Sequence, residues 1–236
     1  MKIYFVQWLV CGATLMFQLA GYAGTNNPAG APAAAEGSKT DMTIKEHCSG
    51  AWTPGLSADE KAVLFAIVED TLLWGVKGGG RGDFDFEKYK LTEKLRQPMA
   101  TFVTLKEKGM LRGCIGSLAP VAPLYQSVHD NAISAALQDS RFHPVASHEL
   151  PLLEVHVSVL SPIREIKTLD EFKLGENGII LEKGGSRAVY LPEVAIEQKW
   201  TKDETLDSLS EKAGLSPGAW RSGARFKVFS SVVLSR

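Results

Sequence analysis

Three cysteines in 236 residues are too few for a disulfide framework, and no CxxC pair is present that would read as a zinc site. Lys and Arg nearly balance Asp and Glu, for a net charge of -1. With no basic run, the chain offers no electrostatic case for nucleic acid. The stretch "GGGRG" that starts at Gly78 lacks the Gly-Lys-Ser/Thr of a phosphate loop. His143 and His148 have no third ligand at a recognisable spacing, so no metal site is expected. The "RGD" triplet at Arg81–Asp83 reads as part of a glycine-rich loop rather than as an adhesion motif. What remains is 44% hydrophobic and 22% charged. That is ordinary for a globular protein with one core, or with two subdomains sharing one.

The first segment, "MKIYFVQWLVCGATLMFQLAGYAG", stands apart. One early lysine precedes an almost uncharged apolar run from Ile3 to Ala20, and small residues follow at Gly21 and Ala23. This is the layout of a secretory signal peptide over residues 1–23. The competing reading is an uncleaved N-terminal anchor, because roughly 18 apolar residues nearly span a bilayer. Gln7 and Gln18 weaken that reading. Both place the folded part outside the cytoplasm, periplasmic or secreted, where thiols oxidise. Residues 24–51, rich in Gly, Ala, Pro and Asn, read as a flexible linker, which leaves residues 52–236 as the domain.

Within that domain, Ser57 and Glu60 form a capping box that opens a helix ending at the glycines from Gly78. "MATFVTL" and "MLRGCIGS" form a hairpin across "KEKG". "LYQSVHDNAISAAL" is a helix with Leu124, Val128, Ala132 and Ala135 at core spacing. "LEVHVSVLS" alternates as a strand, and "NGIILEKGGSRAVYL" is a second hairpin turning at Gly184 and Gly185. Thr201 and Glu204 cap a short helix stopped at Gly214, and "ARFKVFSSVVLS" reads as one final strand. Hairpins and helices without a β-α-β rhythm indicate an α+β fold.

"MLRGCIGS" poses the functional question. Glycine weakens a strand, so Gly113 and Gly116 around Cys114 imply that something approaches closely, either another backbone or a ligand. Period-two alternation puts Leu111, Gly113, Ile115 and Ser117 on one face, and Arg112, Cys114 and Gly116 on the other. On this reading a guanidinium and a thiol project together.

The segments "FVTLKEKGMLRGCIGSLAP", "NAISAALQDSRF", "ELPLLEVHVSVLSP", "GENGIILEKGGSRAVYLPEV" and "KAGLSPGAW" resemble, in order and spacing, the AMMECR domain family. Its bacterial members are called AmmeMemoRadiSam system protein A. The resemblance runs from about the Ser57 helix to the last strand. It implies two interlocked subdomains around a barrel-like mixed sheet, and association with Memo-like and radical SAM proteins. It implies no settled activity and no cofactor. An export signal would separate this chain from cytoplasmic partners of that kind, and His143 stands in "DSRFHP" where the family pattern usually has proline.

Cys114 is the candidate nucleophile, since Arg112 on the same face would favour its thiolate. Arg141 of "DSRF" is a second candidate cation, and together with Gly113 and Gly116 these residues would line a site for an anionic ligand. Against this, most free cysteines are small buried hydrophobes, and no histidine other than His143 is placed to act as base. Two readings follow. One is an exported binding or accessory module whose cleft around "LRGCIG" takes a small anionic ligand or a peptide. The other is an enzyme using Cys114 as nucleophile or redox group on a small anionic substrate.

Overall fold

Side chains at the start of three of the α-helices satisfy the first free N–H groups. In this computed structural model, which describes residues 43–236, Ser57 Oγ accepts from the Glu60 N–H and Glu60 Oε2 accepts from the Ser57 N–H. That capping box starts α1 (Ala58–Leu72), as its sequence predicts. The helix passes into a π-turn, Leu73–Lys77, where Gly75 lies so close to Ile133 that a Cβ would overlap it. β1 (Lys45–Cys48) precedes this helix, and after the short α2 (Glu93–Arg96) come β2 (Thr101–Glu107) and β3 (Met110–Gly116), then α3 (Leu124–Leu137). Leu124, Val128, Ala132 and Ala135 are all buried on α3, the stripe their spacing predicts. β4 (Leu153–Leu160), β5 (Arg164–Ile166), β6 (Gly178–Lys183) and β7 (Ser186–Tyr190) follow, then α4 (Pro192–Glu197) and α5 (Lys202–Lys212), and the chain closes with β8 (Arg225–Phe229) and β9 (Ser231–Ser235).

The strands form two sheets. One has five strands in the order β3-β2-β4-β9 and then Lys45–Cys48 at its far edge; the other runs β5-β8-β6-β7. Every pairing is antiparallel, and neither sheet closes among the described residues. The sheet that the resemblance implies to be mixed is antiparallel throughout, in an α+β fold of two sheets. α1 and α3 cover one face of the larger sheet, burying Val103, Leu105, Val157 and Leu234. Its other face contributes Phe102, Cys114 and Leu118 to a second core, shared with the smaller sheet and α5.

The chain crosses between the sheets at Ser161–Pro162 and at Ser230. The two crossings are tied together, because Ser161 N–H donates to the Ser230 carbonyl at 2.9 Å and Ser230 N–H donates to Ser161 Oγ at 2.9 Å. The expected single last strand is therefore two strands, β8 in one sheet and β9 in the other. The larger sheet also begins at Lys45, ahead of the expected boundary at Trp52. All four residues Lys45–Cys48 are exposed, so only main-chain bonds to β9 reveal this strand. The expected signal or anchor at residues 1–23, and most of the expected linker, lie outside the described residues.

His129 of α3 is buried under Phe84, Phe86 and Trp74. Thr71 Oγ1 donates its one hydrogen to the Ile67 carbonyl at 2.6 Å. The 2.7 Å contact to His129 Nδ1 is therefore donated by the imidazole, which fixes the neutral tautomer. Burial lowers the His129 pKa, only partly opposed by Asp130. The unfolded histidine takes up a proton near pH 6.5 and the folded one resists. Its contribution to stability is whole above that pH and is lost as the pH falls through it. Urea midpoints at pH 7 and pH 5 should therefore converge in His129→Gln relative to the wild type. An unchanged difference between the two pH values would contradict the assignment.

Candidate functional site

β3 is an edge strand, so half of its main-chain groups have no ladder partner. At Cys114 the partners come from the "DSRF" loop that follows α3. The Cys114 N–H donates to Asp139 Oδ2 at 2.9 Å, and Arg141 Nη2 donates to the Cys114 carbonyl at 3.3 Å. Asp139 and Arg141 also hold one another, Nε to Oδ1 at 2.9 Å and Nη2 to Oδ2 at 2.6 Å. The guanidinium lies 5.4 Å from the Phe142 ring centroid. Burial disfavours the Asp139 carboxylate, but the Arg141 guanidinium and the two N–H groups outweigh it and hold its pKa below the ordinary range. "LRGCIG" and "DSRF" are thus two halves of one clamp.

The expected face shared by Arg112 and Cys114 does not form. Thr104 pairs with Cys114 and Leu105 with Gly113, but Lys106 then pairs with Leu111. Arg112 is left over as a bulge. The slip brings Leu111 against the same core as Cys114, while Arg112 turns to Glu149, Nε to Oε1 at 2.7 Å and Nη2 to Oε2 at 3.0 Å. That pair, with the Ala146 N–H, draws the Glu149 pKa down to about 2. Arg112 Nη1 is buried without a hydrogen-bond partner.

Both glycines are close-packing positions. A Cβ on Gly113 would overlap the Ala135 carbonyl of α3, and one on Gly116 would overlap the Phe102 ring and the Thr101 carbonyl. Cys114 itself is buried. Burial pushes its thiol pKa up, against smaller opposing effects from the Thr104 hydroxyl, which donates to Sγ at 3.3 Å, and from Arg141. His143 and His148 are exposed, and among the described residues no group of His, Cys, Asp and Glu is arranged to hold a metal ion.

Two further residues bear on this region. Lys212, the last residue of α5, donates from Nζ to the Val189 carbonyl at 3.0 Å and lies 4.5 Å from the Tyr190 ring centroid. Burial first, then the Arg141 charge, bring its pKa down to about 7, with Cys114 opposing. Glu193 of α4 is pushed up by burial and bears on Cys114. Asp139, Glu193 and Lys212 all lie inside the sequence blocks quoted above, but nothing local marks them, because the fold alone brings them together.

Beyond "LRGCIG", the residues Ser117–Pro120 form one wall of a groove of about 870 Å³. Trp52, Met99, Leu160 and Ile163 make it largely apolar, and Glu165, Arg187 and Lys227 also line it. Glu182 receives Lys227 at 3.0 Å, and Arg187 and Arg225 each at 3.5 Å. Of the charged residues that line the groove, two are cations, Arg187 and Lys227, and one is a carboxylate, Glu165.

The AMMECR1 family model matches residues 79–234, a span that takes in the clamp, both hairpins and the Lys212 helix. The chain belongs to the AMMECR1 family. This AMMECR1 chain is 40% identical over 165 residues to a protein of Methanosarcina acetivorans, covering 68% of this chain and 81% of that one. It is 43% identical over 133 residues to a protein of Methanothermobacter thermautotrophicus, covering 54% and 69%. The crystal structure of uncharacterized protein PH0010 from Pyrococcus horikoshii superposes with a TM-score of 0.69 at 28% identity, covering 78% of this chain and 94% of that one.

Because Arg112 neutralises a mostly buried carboxylate, Arg112→Met should destabilise the protein by about 2–3 kcal/mol, the usual consequence of leaving one member of such a pair alone. Urea denaturation measures it. A change under about 0.5 kcal/mol, the size of an ordinary surface substitution, would show that the pair does not anchor the bulge.

Proposed function

We propose that this AMMECR1 protein is an exported binding or accessory module, and that Cys114 is part of its scaffold rather than its nucleophile. The observation that carries this reading is the clamp. Both main-chain groups of Cys114 are engaged by Asp139 and Arg141, and the buried thiol is held protonated. A thiol nucleophile needs thiolate character and access, and neither is provided. The arginines expected to bind an anion are instead neutralised by Asp139 and Glu149.

The recognition cleft in this reading is the groove walled by Ser117–Pro120. Its volume of about 870 Å³ suits a small molecule or a short peptide stretch. Its apolar walls and the one-charge excess of cations in its lining favour a ligand with an apolar body and an anionic end. Export rests on the N-terminal apolar run in the sequence. Memo-like and radical SAM proteins enter as proposed partners through the family resemblance alone.

Two measurements test the proposal together. After reduction, iodoacetamide should label Cys48, which is exposed, and leave Cys114 untouched until the protein is denatured. Mass spectrometry of small molecules released from purified protein should find an anion retained by the wild type and lost from Arg187→Gln/Lys227→Gln. Fast labelling of Cys114 in the folded protein would overturn the reading in favour of the cysteine enzyme. Equal retention by wild type and double variant would remove the groove from it.

A further inference from the structure

We propose a second ligand site at the open end of the β5–β8 pair, which takes a flat aromatic carboxylate and holds its anion between Lys167 and Arg225. The site is a cavity of about 720 Å³. Glu165 is the one lining residue it shares with the Ser117–Pro120 groove, so the two are separate places.

The cavity follows from where the strands stop pairing. The ladder between β5 and β8 ends at Ile166 opposite Phe226, and the cavity opens between residues 167–169 and 223–225. Phe226 is buried, and Leu169 and Trp220 pack against the same core, so the floor is an uncovered margin of that core. Trp220 is a fixed wall. Asp207 Oδ1 accepts from its Nε1 at 2.6 Å, from the Gly218 N–H at 2.8 Å and from Arg221 Nη1 at 3.1 Å. The Arg221 guanidinium lies 4.2 Å from the ring centroid. The segment "KAGLSPGAW" thus ends in an indole set in place before any ligand arrives, a surface on which an aromatic ring packs well. A cavity of about 720 Å³ has room for a ligand of this kind.

The rim supplies the charge. Arg221 is answered by Asp203 and Asp207, at 3.2 and 3.1 Å. Lys167 is exposed, and among the described residues no carboxylate pairs with its ammonium. The Glu171 carboxylate is taken by Arg164 at 2.8 Å and by the Lys167 main-chain N–H at 2.9 Å. Arg225 reaches Glu182 only at 3.5 Å, and that carboxylate already holds Lys227 at 3.0 Å. Continuing the β5–β8 register by one residue sets Lys167 across from Arg225. Like charges in that position repel. A carboxylate between them removes the repulsion and gains charge-assisted hydrogen bonds. Glu165, the one carboxylate in the lining, stands opposite Lys227, so the rim stays positive.

The test is an NMR titration of the nitrogen-labelled protein with naphthoate, read at the indole N–H signals and assigned with Trp220→Phe and Trp52→Phe. Trp220 reports this site, and Trp52, which lines the groove, reports the other in the same sample. The Trp220 signal should shift saturably with a Kd at or below about 1 mM. Lys167→Glu should weaken binding at least about ten-fold, and so should replacing the probe with neutral naphthalenemethanol, because each removes the charge-assisted contact. A Trp220 signal that naphthoate leaves unmoved, that the neutral probe moves equally, or that Lys167→Glu leaves unchanged overturns the proposal. A shift at Trp52 alone also overturns it, and assigns the probe to the groove. The groove reading keeps its own test, because anion retention in Arg187→Gln/Lys227→Gln is measured independently.

Discussion

An edge strand must find partners for the main-chain groups that its sheet leaves open, and in this protein that requirement is met at Cys114 by one aspartate and one arginine. The arrangement around β3 follows from it. The "DSRF" loop has to lie against the strand, so α3 must end there and pass close overhead. Gly113 is what permits the approach, since any Cβ would meet the Ala135 carbonyl. With Asp139 largely buried, its charge is tolerated only because Arg141 and two N–H groups surround it. The same loop then carries Phe142 between Arg141 and Arg112, at 5.4 and 6.0 Å from the two guanidinium carbons.

The ionisable groups of this region divide into two sets with different uses. Asp139–Arg141 and Glu149–Arg112 are charged pairs that fix backbone, one at the strand edge and one at the bulge. Cys114, Glu193 and Lys212 are driven toward their neutral forms by burial. A stapled, charged frame thus stands beside groups whose charged forms burial disfavours. It differs from the cysteine site that the motif first suggests. The thiol packs in the core that it shares with Phe102 and Leu118.

Much of the fold is legible in the sequence where local chemistry decides the outcome. Ser57–Glu60 and Thr201–Glu204 are reciprocal capping pairs, Gly184–Gly185 closes a two-residue turn, and the α3 stripe has the helical period. Failures came where partners are distant. Lys45–Cys48 carries no apolar signal, being held by main-chain bonds to β9 and the Glu46–Lys61 ion pair. The break at Ser230 is invisible because both halves of "ARFKVFSSVVLS" have strand character, and only the second sheet shows where one ends. The bulge at Arg112 defeats period-two counting, since one extra residue reassigns every side chain beyond it. Cys114 and Arg141 do meet in the fold, joined through Asp139, and Gly113 and Gly116 are tightly packed. Glu193 and Lys212 went unnoticed because a glutamate after a proline and a lysine before a helix stop are common, and their shared location is a property of the tertiary fold.

Amide hydrogen exchange at Cys114 tests the central claim most directly, because the clamp is a statement about that one N–H. If Asp139 accepts it, the amide should be protected to about the level of the central strand β4, although it lies on a sheet edge. Asp139→Ala should then reduce protection at Cys114 at least about ten-fold more than at Val157, about 1.4 kcal/mol of selective local opening. A Cys114 amide that exchanges in the wild type as fast as an open edge, or a variant that loses protection equally at both positions, would contradict the account.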